Sequence, residues 1–205
     1  MARRFETGRA TGLVLASAAL VADHELLASW TAGDNEAGNA LFLRHFDAIF
    51  GFFHTRAQTH AEELTQRSFL TAVEVRDRFR QESSFRAFLF GIARKHLLKF
   101  FDEQRKQANV TFRTVSLAEL GVSLASRLAT QQQEQRLLDA MARLPVDLQI
   151  ALDLHYWEGL TTRELGEILG CPQGTAKRWL WRARQLLAAD LGVDPDALEL
   201  GERPG

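Results

Sequence analysis

Cysteine and proline are both scarce in this chain of 205 residues, which has one cysteine, Cys171, and four prolines. A single cysteine cannot form a disulfide within the chain, and it fits a reducing compartment such as the cytoplasm. The composition is 46% hydrophobic and 25% charged, which is typical of a globular rather than a disordered chain. We therefore expect a cytoplasmic protein with one domain or two small ones.

The sequence also lacks the residue patterns that carry catalysis or bind a metal. Its six histidines show no metal-ligand spacing with Cys171. No glycine-rich phosphate loop and no nucleophile motif occurs. We expect a protein that is not an enzyme, that uses no metal or cofactor, and that acts by binding.

No hydrophobic run at the N-terminus is long enough to cross a membrane. Arg3 and Arg4 precede an alanine-rich apolar run from Leu13 to Val21, which resembles an export signal. A transmembrane helix needs about 20 mainly apolar residues, and this run is far shorter. We expect residues 1–22 to be an N-terminal extension without stable membrane insertion, with an export signal as the alternative.

Net charge is close to zero, at −1, which by itself argues against a nucleic-acid-binding protein. The charges are segregated, however. No acidic residue occurs between Gln173 and Ala189, whereas residues 192–205 form an acidic tail that we expect to be disordered. Because local charge governs contact with phosphate, a DNA-binding surface is compatible with this composition.

Two helices joined by a tight turn are predicted within residues 160–187. Thr161 and Glu164 have the spacing of a capping box, which marks the start of the first helix. Gly170 suits the left-handed residue that ends this helix. Gly166 is small enough to let the second helix cross close by. This arrangement predicts a helix-turn-helix.

The second of these helices has a narrow apolar stripe and a broad basic face. At about 100° per residue, the stripe holds small and apolar side chains: Ala176, Leu180, Ala183 and Leu187. A solvated surface helix is the alternative, but the turn chemistry favours a helix that enters the major groove. The predicted DNA-binding residues are Thr175, Lys177, Arg178, Trp181, Arg182 and Arg184.

Apolar residues recur at helical spacing from Asp23 to Phe53, with a break at Gly33, which predicts two helices. His45 lies on the apolar surface of the second and is expected to be a core histidine rather than a ligand. A third helix is predicted from Ala61 to Phe79. It is apolar on more than one side, so either it is deeply packed or one face binds a partner protein.

A further helix, from Phe85 to about Lys106, mixes phenylalanines with lysines and arginines. Ser83 or Ser84 can cap it. Cations that hold phosphates and rings that stack on bases are what single-stranded DNA binding requires. The alternative is that the rings are core, which the spacing supports for Phe85 and Phe88. The basic edge still favours DNA.

Residues 107–133 show no sustained periodicity and contain a glutamine run, which indicates a flexible linker. A second helical unit begins near Glu134. We therefore predict an all-α fold with two small helical domains, residues 23–106 and 134–191, joined by that linker. The second domain contains the helix-turn-helix.

Three segments of the chain resemble the extracytoplasmic-function (ECF) group of bacterial RNA polymerase sigma factors. They are AEELTQRSF at 61–69, SFRAFLFGIAR at 84–94, and a segment at 156–184 that runs from YWEGL through GTAK to RAR. Their order and spacing match the family. Arg67 departs from the pattern, because the family usually has glutamate there.

The resemblance implies that the first domain (sigma domain 2) binds core RNA polymerase and melts the minus-ten promoter element. The second (sigma domain 4) would read the minus-thirty-five element. The implied polymerase-binding residues are Glu62, Glu63, Leu64, Gln66 and Phe69. The residues implied to contact melted DNA are Arg78, Arg80, Ser84, Arg86, Arg94, Lys95 and Lys99.

The partners implied are core RNA polymerase and promoter DNA, with an anti-sigma factor as a further one. A free-standing helix-turn-helix transcriptional regulator is the alternative function. It would leave the basic and aromatic helix that follows Ser84 without a role.

Overall fold

The computed structural model describes residues 21–79, 83–108, 132–198 and 200. Within these ranges the chain forms α-helices with short 3₁₀ and π turns and no β-strand, which confirms the all-α fold class. None of the helices in the described ranges is long and apolar enough to cross a membrane. Most of the N-terminal extension, most of the predicted linker and Arg80 lie outside the described residues.

The described residues of the N-terminal unit form four α-helices. They are α1 (Asp23–Thr31), α2 (Asn35–Ala57), α3 (Ala61–Val75) and α4 (Phe85–Ala108). The predicted break between α1 and α2 is confirmed: Gly33 has a φ of 103°, and the Asp34 carboxylate caps α2 by accepting from the Glu36 amide at 2.9 Å. Large side chains that are almost fully buried form the core between α2 and α4: Leu41, Phe52, Phe53, Phe90 and Leu97.

The side chain of Asp23 in α1 binds two side chains of α2. The Nε2 atom of His45, which is 7% exposed, lies 2.7 Å from a carboxylate oxygen of Asp23, and the Arg44 guanidinium contacts the other oxygen at 2.5 Å. His45 is thus a satisfied core histidine, as predicted. Its hydrogen bond is the main reason why the pKa of Asp23 is lowered from its ordinary 3.8.

Replacing Asp23 with asparagine is expected to reduce the free energy of unfolding by about 1 kcal/mol at neutral pH. Because the folded-state pKa of Asp23 is depressed, this stabilisation is present above the ordinary pKa and is lost as the pH falls through the folded value. Urea denaturation at about pH 7 and about pH 2 measures the difference in free energy of unfolding between wild type and the variant. Asp47→Asn, an exposed change on α2, is the control. A difference from wild type that persists unchanged at the lower pH would contradict the assignment.

The C-terminal unit contains α5 (Gln132–Ala142), α6 (Val146–Leu152), α7 (Thr162–Leu169) and α8 (Gln173–Leu191). A π turn, Asp153–Trp157, follows α6 directly. Thr161 and Glu164 form the predicted capping box of α7, and Gly170, with a φ of 68°, ends that helix in the left-handed conformation. The helix-turn-helix is therefore present as α7, a turn and α8.

Gly166 allows the close crossing of α7 with the chain that leads into α8. A Cβ atom at this position would lie 2.7 Å from the carbonyl oxygen of Cys171 and 3.3 Å from the amide nitrogen of Gln173. Both neighbours are backbone atoms, which cannot turn away as a side chain can. Position 166 therefore requires a residue without a side chain, in agreement with the prediction that a small residue lets the second helix cross close by.

Candidate nucleic-acid interface

Helix α8 presents its predicted apolar stripe inward. Ala176, Leu180, Ala183 and Leu187 are between 0% and 6% exposed. Because this side of the helix packs against the rest of the C-terminal unit, the opposite side is the one that faces solvent.

The solvent-facing side of α8 carries cations and one large ring. Lys177, Arg178 and Arg182 are exposed, and Trp181 is 64% exposed. Among the residues that the structure describes, no carboxylate forms an ion pair with these three cations. The face therefore has the positive charge and hydrogen-bond donors that phosphate and base contacts require. Thr175, in the first turn, is partly buried at its edge.

Arg184 differs from the other predicted residues of this helix. Its guanidinium donates to the Tyr156 hydroxyl at 3.1 Å and to the carbonyl oxygens of Pro195 and Leu198 at 2.6 and 3.2 Å. These contacts hold its charge within the monomer, so we leave Arg184 out of the proposed DNA face. They also order the chain beyond α8, where Leu198 is only 9% exposed. The expected disorder of the acidic tail is therefore wrong for residues 192–198.

The basic edge of α4 is only partly free. Ser84 caps α4 by accepting from the Ala87 amide at 3.1 Å, as predicted, and its hydroxyl also donates to a Glu164 carboxylate oxygen at 2.5 Å. The guanidinium of Arg86 pairs with the Glu158 carboxylate, and that of Arg94 pairs with Asp147 at 2.7 Å. Three predicted DNA contacts thus meet oxygens of the C-terminal unit.

The remaining residues that were predicted to contact melted DNA have no ion pair with the C-terminal unit among the described residues. Lys95 and Lys99 are exposed, and Lys99 lies 3.9 Å from Glu103. The backbone of Arg78 belongs to a 3₁₀ turn, Arg76–Arg78. The rings Phe85, Phe90 and Phe101 are 0% to 4% exposed, so for them the core interpretation is the right one, and they offer no surface on which bases could stack.

A cavity of about 530 Å³ lies between α3, α4 and α7. Phe88, Lys95 and Lys99 of α4 line one side, and Glu167 and Ile168 of α7 line the other. His96, also in its wall, has a pKa lowered chiefly by burial and secondarily by the charges of Arg67 and Lys99. The Lys99 side of α4 therefore borders a groove that the C-terminal unit partly closes.

The predicted polymerase-binding residues lie on α3, with one correction. Glu62, Glu63 and Gln66 are exposed, but Leu64 is 3% exposed and packs in the core. Leu64 recurs at the spacing of the buried stripe, which explains its position. Arg67, which replaces the usual glutamate, pairs with Glu63 at 2.7 Å in a half-exposed contact of small energetic weight.

The second apolar side of α3, which the sequence offered as a possible surface for a partner protein, continues onto α2. Phe69 stacks on Phe46, with ring centroids 6.2 Å apart and an interplanar angle of 8°. Phe46 and three other apolar side chains of these two helices, Leu43, Leu70 and Val73, are each between 40% and 60% exposed. We call these four residues and Phe69 the α2–α3 apolar patch. Apolar clusters of this kind on a soluble surface mark contact with another protein.

Two models of one protein family match this chain. The Sigma-70 region 2 family model matches residues 41–107, and the Sigma-70 region 4 model matches residues 134–187, so together they cover more than half of the chain. The first contains α3, α4 and most of α2. The second contains the helix-turn-helix.

Curated relatives align with this chain over most of their own length. The ECF RNA polymerase sigma-E factor of Haemophilus influenzae is 26% identical over 176 residues, covering 80% of this chain and 93% of that protein. The RNA polymerase sigma-H factor of Pseudomonas aeruginosa is 26% identical over 186 residues, covering 84% and 94%.

Solved structures share the fold. The sigma factor RpoE of Bartonella quintana, in complex with the anti-sigma factor NepR, has a TM-score of 0.60 at 24% identity, covering 75% of this chain and 95% of that one. CnrH, in complex with the cytosolic domain of CnrY, has a TM-score of 0.62 at 21% identity, covering 83% and 97%.

These matches define the chain as a two-region transcription initiation factor. It belongs to the ECF group of RNA polymerase sigma factors. Sigma factors as a family are not enzymes.

Proposed function

We propose that this protein confers promoter specificity on core RNA polymerase. It binds the polymerase, recognises the minus-ten and minus-thirty-five promoter elements and promotes DNA melting. One observation carries this function most directly: a region 2 unit and a region 4 unit occur in one chain, and the helix-turn-helix of region 4 exposes a basic face. A free-standing regulator is not favoured, because it would not need region 2.

In this proposal each domain binds a different promoter element, and residues 134–191 recognise the minus-thirty-five element through α8. Lys177, Arg178 and Arg182 contact phosphates or base edges, and Trp181 offers an apolar surface to a thymine methyl group or a sugar. Thr175 contributes from the first turn. The docking geometry is that of a helix-turn-helix whose second helix lies in the major groove.

In the same proposal, residues 23–106 bind the melted minus-ten element and core polymerase. Arg86, Arg94, Lys95 and Lys99 follow the backbone of the melted strand, together with Arg78, Arg80 and Ser84. Polymerase binds the exposed face of α3 through Glu62, Glu63, Gln66 and the α2–α3 apolar patch. We place the protein in the cytoplasm, where its two main partners are.

An anti-sigma factor is a further proposed partner. The support is that the RpoE structure of similar fold is a complex with the anti-sigma factor NepR. We further propose that this chain has no catalytic activity of its own, as is general in its family.

Run-off transcription with purified core polymerase and a panel of candidate promoters tests the proposal. Polymerase alone is expected to be silent, and polymerase with this protein is expected to initiate at a defined site on at least one template. The protein is also expected to co-elute with core polymerase. Failure in both assays would overturn the proposed function.

Lys177→Ala and Arg182→Ala are each expected to weaken binding of a promoter duplex and to lower the salt dependence of that binding. Removing one contact with a phosphate reduces the slope of log K against log salt by about 0.9. Arg136→Ala, an exposed cation on α5, is the matched control. Fluorescence anisotropy across a salt series gives both quantities. Unchanged slopes in the two variants would remove these residues from the DNA face.

Leu70→Asp is expected to weaken binding to core polymerase about tenfold or more, because an apolar residue at the centre of an interface is costly to replace with a charge. Leu186→Asp introduces the same charge at an exposed leucine of the C-terminal unit and serves as the control. Surface-immobilised core polymerase and a titration of each variant measure the affinities. Equal losses of affinity in both variants would argue against a specific role of the patch.

A further inference from the structure

The cavity between α3, α4 and α7 combines an apolar wall with a cationic rim. Ile92 and Ile168 are buried and Phe88 is partly buried, whereas Lys95 and Lys99 are exposed. Pockets that bind small molecules have volumes of about 300–1,000 Å³, mainly apolar walls and a few polar groups that orient the ligand. With about 530 Å³, this cavity has the size and the lining of such a pocket.

We propose that the cavity binds an amphipathic carboxylate of medium chain length. Its aliphatic chain lies against Phe88, Ile92 and Ile168, and its carboxylate binds the ammonium groups of Lys95 and Lys99. This site goes beyond the proposed function, which assigns no small ligand to the chain.

One face of α4 has room for such a chain. Gly91 is part of the cavity wall, and a Cβ atom there would meet no heavy atom within 4 Å, so a ligand can approach the helix backbone closely. Gly91, Lys95 and Lys99 follow one another at intervals of four residues, which places them on the same face. From Phe88 to Lys95 the helix rises about 10 Å, at about 1.5 Å per residue. An aliphatic chain of medium length spans that distance, with its tail at the ring and its carboxylate at the lysines.

The two lysines at the rim are available to an anion. Among the described residues Lys95 forms no ion pair, and Lys99 lies 3.9 Å from Glu103, a long distance for a salt bridge. The carboxylate of Glu167, on the opposite wall, pairs with Arg163 at 3.4 Å. Because that pairing compensates the negative charge of Glu167, the two ammonium groups determine which sign of charge the ligand carries.

His96 is a separate sign that positive charge acts on this wall. Its ring lines the cavity, and its Nε2 atom lies 3.0 Å from the Thr71 hydroxyl oxygen. The pKa of His96 is lowered, first by burial and then by the charges of Arg67 and Lys99. A carboxylate bound beside these cations would oppose their effect, so its binding is expected to raise the pKa of His96.

The cavity selects for an apolar chain and a negative charge together. An exposed ion pair contributes little in water and is screened by salt, so a carboxylate without a chain gains little from the lysines. A cationic amphiphile would make the same apolar contacts but would meet two like charges. Decanoate combines both features and is the probe for this site.

Isothermal titration calorimetry of the full chain with decanoate, below its micelle concentration, tests the site. The parent is expected to bind decanoate saturably, and to bind neither acetate nor decyltrimethylammonium to a comparable extent. Gly91→Leu directs a side chain into the cavity and is expected to weaken decanoate binding about tenfold or more, because the two would overlap. Gly91→Ala, which leaves most of the volume open, is the matched control. Both substitutions favour the helix, and thermal unfolding checks that both variants fold.

A charge variant and a local probe complete the test. Lys95→Gln is expected to weaken decanoate binding about tenfold, the effect of losing a charge-assisted hydrogen bond. Lys106→Gln removes the same charge from an exposed position of α4 and is the control. Nuclear magnetic resonance of the His96 ring, assigned by the loss of its signals in His96→Gln, follows the pKa of that residue with and without decanoate.

Three results would overturn the proposal. The first is the absence of saturable decanoate binding to the parent. The second is equal affinity for decanoate and decyltrimethylammonium, which would show adsorption to exposed apolar surface such as the α2–α3 apolar patch. The third is an affinity that Gly91→Leu and Lys95→Gln leave unchanged, with no change in the pKa of His96.

The proposed function gives such a ligand an effect on transcription. Lys95 and Lys99 contact the melted strand in that proposal, so a bound carboxylate competes with phosphates for them, and decanoate is expected to lower run-off initiation where acetate does not. This effect, unlike the site itself, rests on the proposed function. If decanoate binds selectively but no form of the chain directs initiation, the proposed function is wrong and the site stands. If the chain directs initiation but binds no decanoate, the site is wrong and the function stands.

Discussion

Replacing Arg56 with methionine is expected to lower the free energy of unfolding by about 3–5 kcal/mol, the range for breaking a buried ion pair on one side. Asp153, 4% exposed, would lose the cation that pairs with it. The same change removes a hydrogen bond of 2.8 Å from Nη1 to the Phe52 carbonyl oxygen and the stacking of the guanidinium over the Phe52 ring at 4.5 Å. Urea denaturation of the full chain measures the decrease in stability.

A second substitution distinguishes electrostatics from packing at this site. In the double variant Arg56→Met/Asp153→Leu both charges are gone, and we expect most of the missing stability to return, because apolar residues of similar size can replace a buried pair without loss. If the double variant is as unstable as the single one, the uncompensated carboxylate is not the cause.

Replacing Gly166 with alanine is expected to destabilise the C-terminal unit by about 1–3 kcal/mol, the usual cost of overpacking. The new methyl group would meet the Cys171 carbonyl oxygen at 2.7 Å, and the backbone of the turn would have to move. That movement would tilt α8 relative to α7, so we expect promoter binding to weaken along with stability. Thermal unfolding and promoter anisotropy measure the two effects.

Gly174→Ala provides the matched control for this substitution. Gly174 lies in the first turn of α8, and a Cβ atom there would meet no heavy atom within 4 Å. Alanine is the better helix former, so this variant is expected to be as stable as wild type or more stable by up to about 1 kcal/mol. Equal destabilisation by the two variants would show that contact with the turn is not the cause.

The sequence predicts local features of this fold well, because each depends on residues close together in the chain. The capping box of Thr161 and Glu164 is one example. The left-handed Gly170 and the buried stripe of α8 are others, and all are present. Helical periodicity likewise separated α1 from α2 at Gly33.

Features that depend on distant residues were not predictable in the same way. Arg94 and Asp147 are 53 residues apart, and Arg86 and Glu158 are 72 apart. No periodicity links the partners, so the sequence predicted Arg86 and Arg94 to contact DNA and gave no sign of their pairing with Glu158 and Asp147. For the same reason the sequence could not tell that the guanidinium of Arg184 is held by carbonyl groups of the tail.

The contacts of Arg184 link the residues that follow α8 to the arrangement of charge on that helix. The Pro195 and Leu198 carbonyl oxygens accept from the guanidinium and keep it from turning toward the solvent-facing side that carries Lys177 and Arg178. In the proposed function, non-specific attraction to DNA grows with each added cation, whereas discrimination between sequences does not. The segment after α8 thus sets how many guanidinium groups of the helix are available to a ligand.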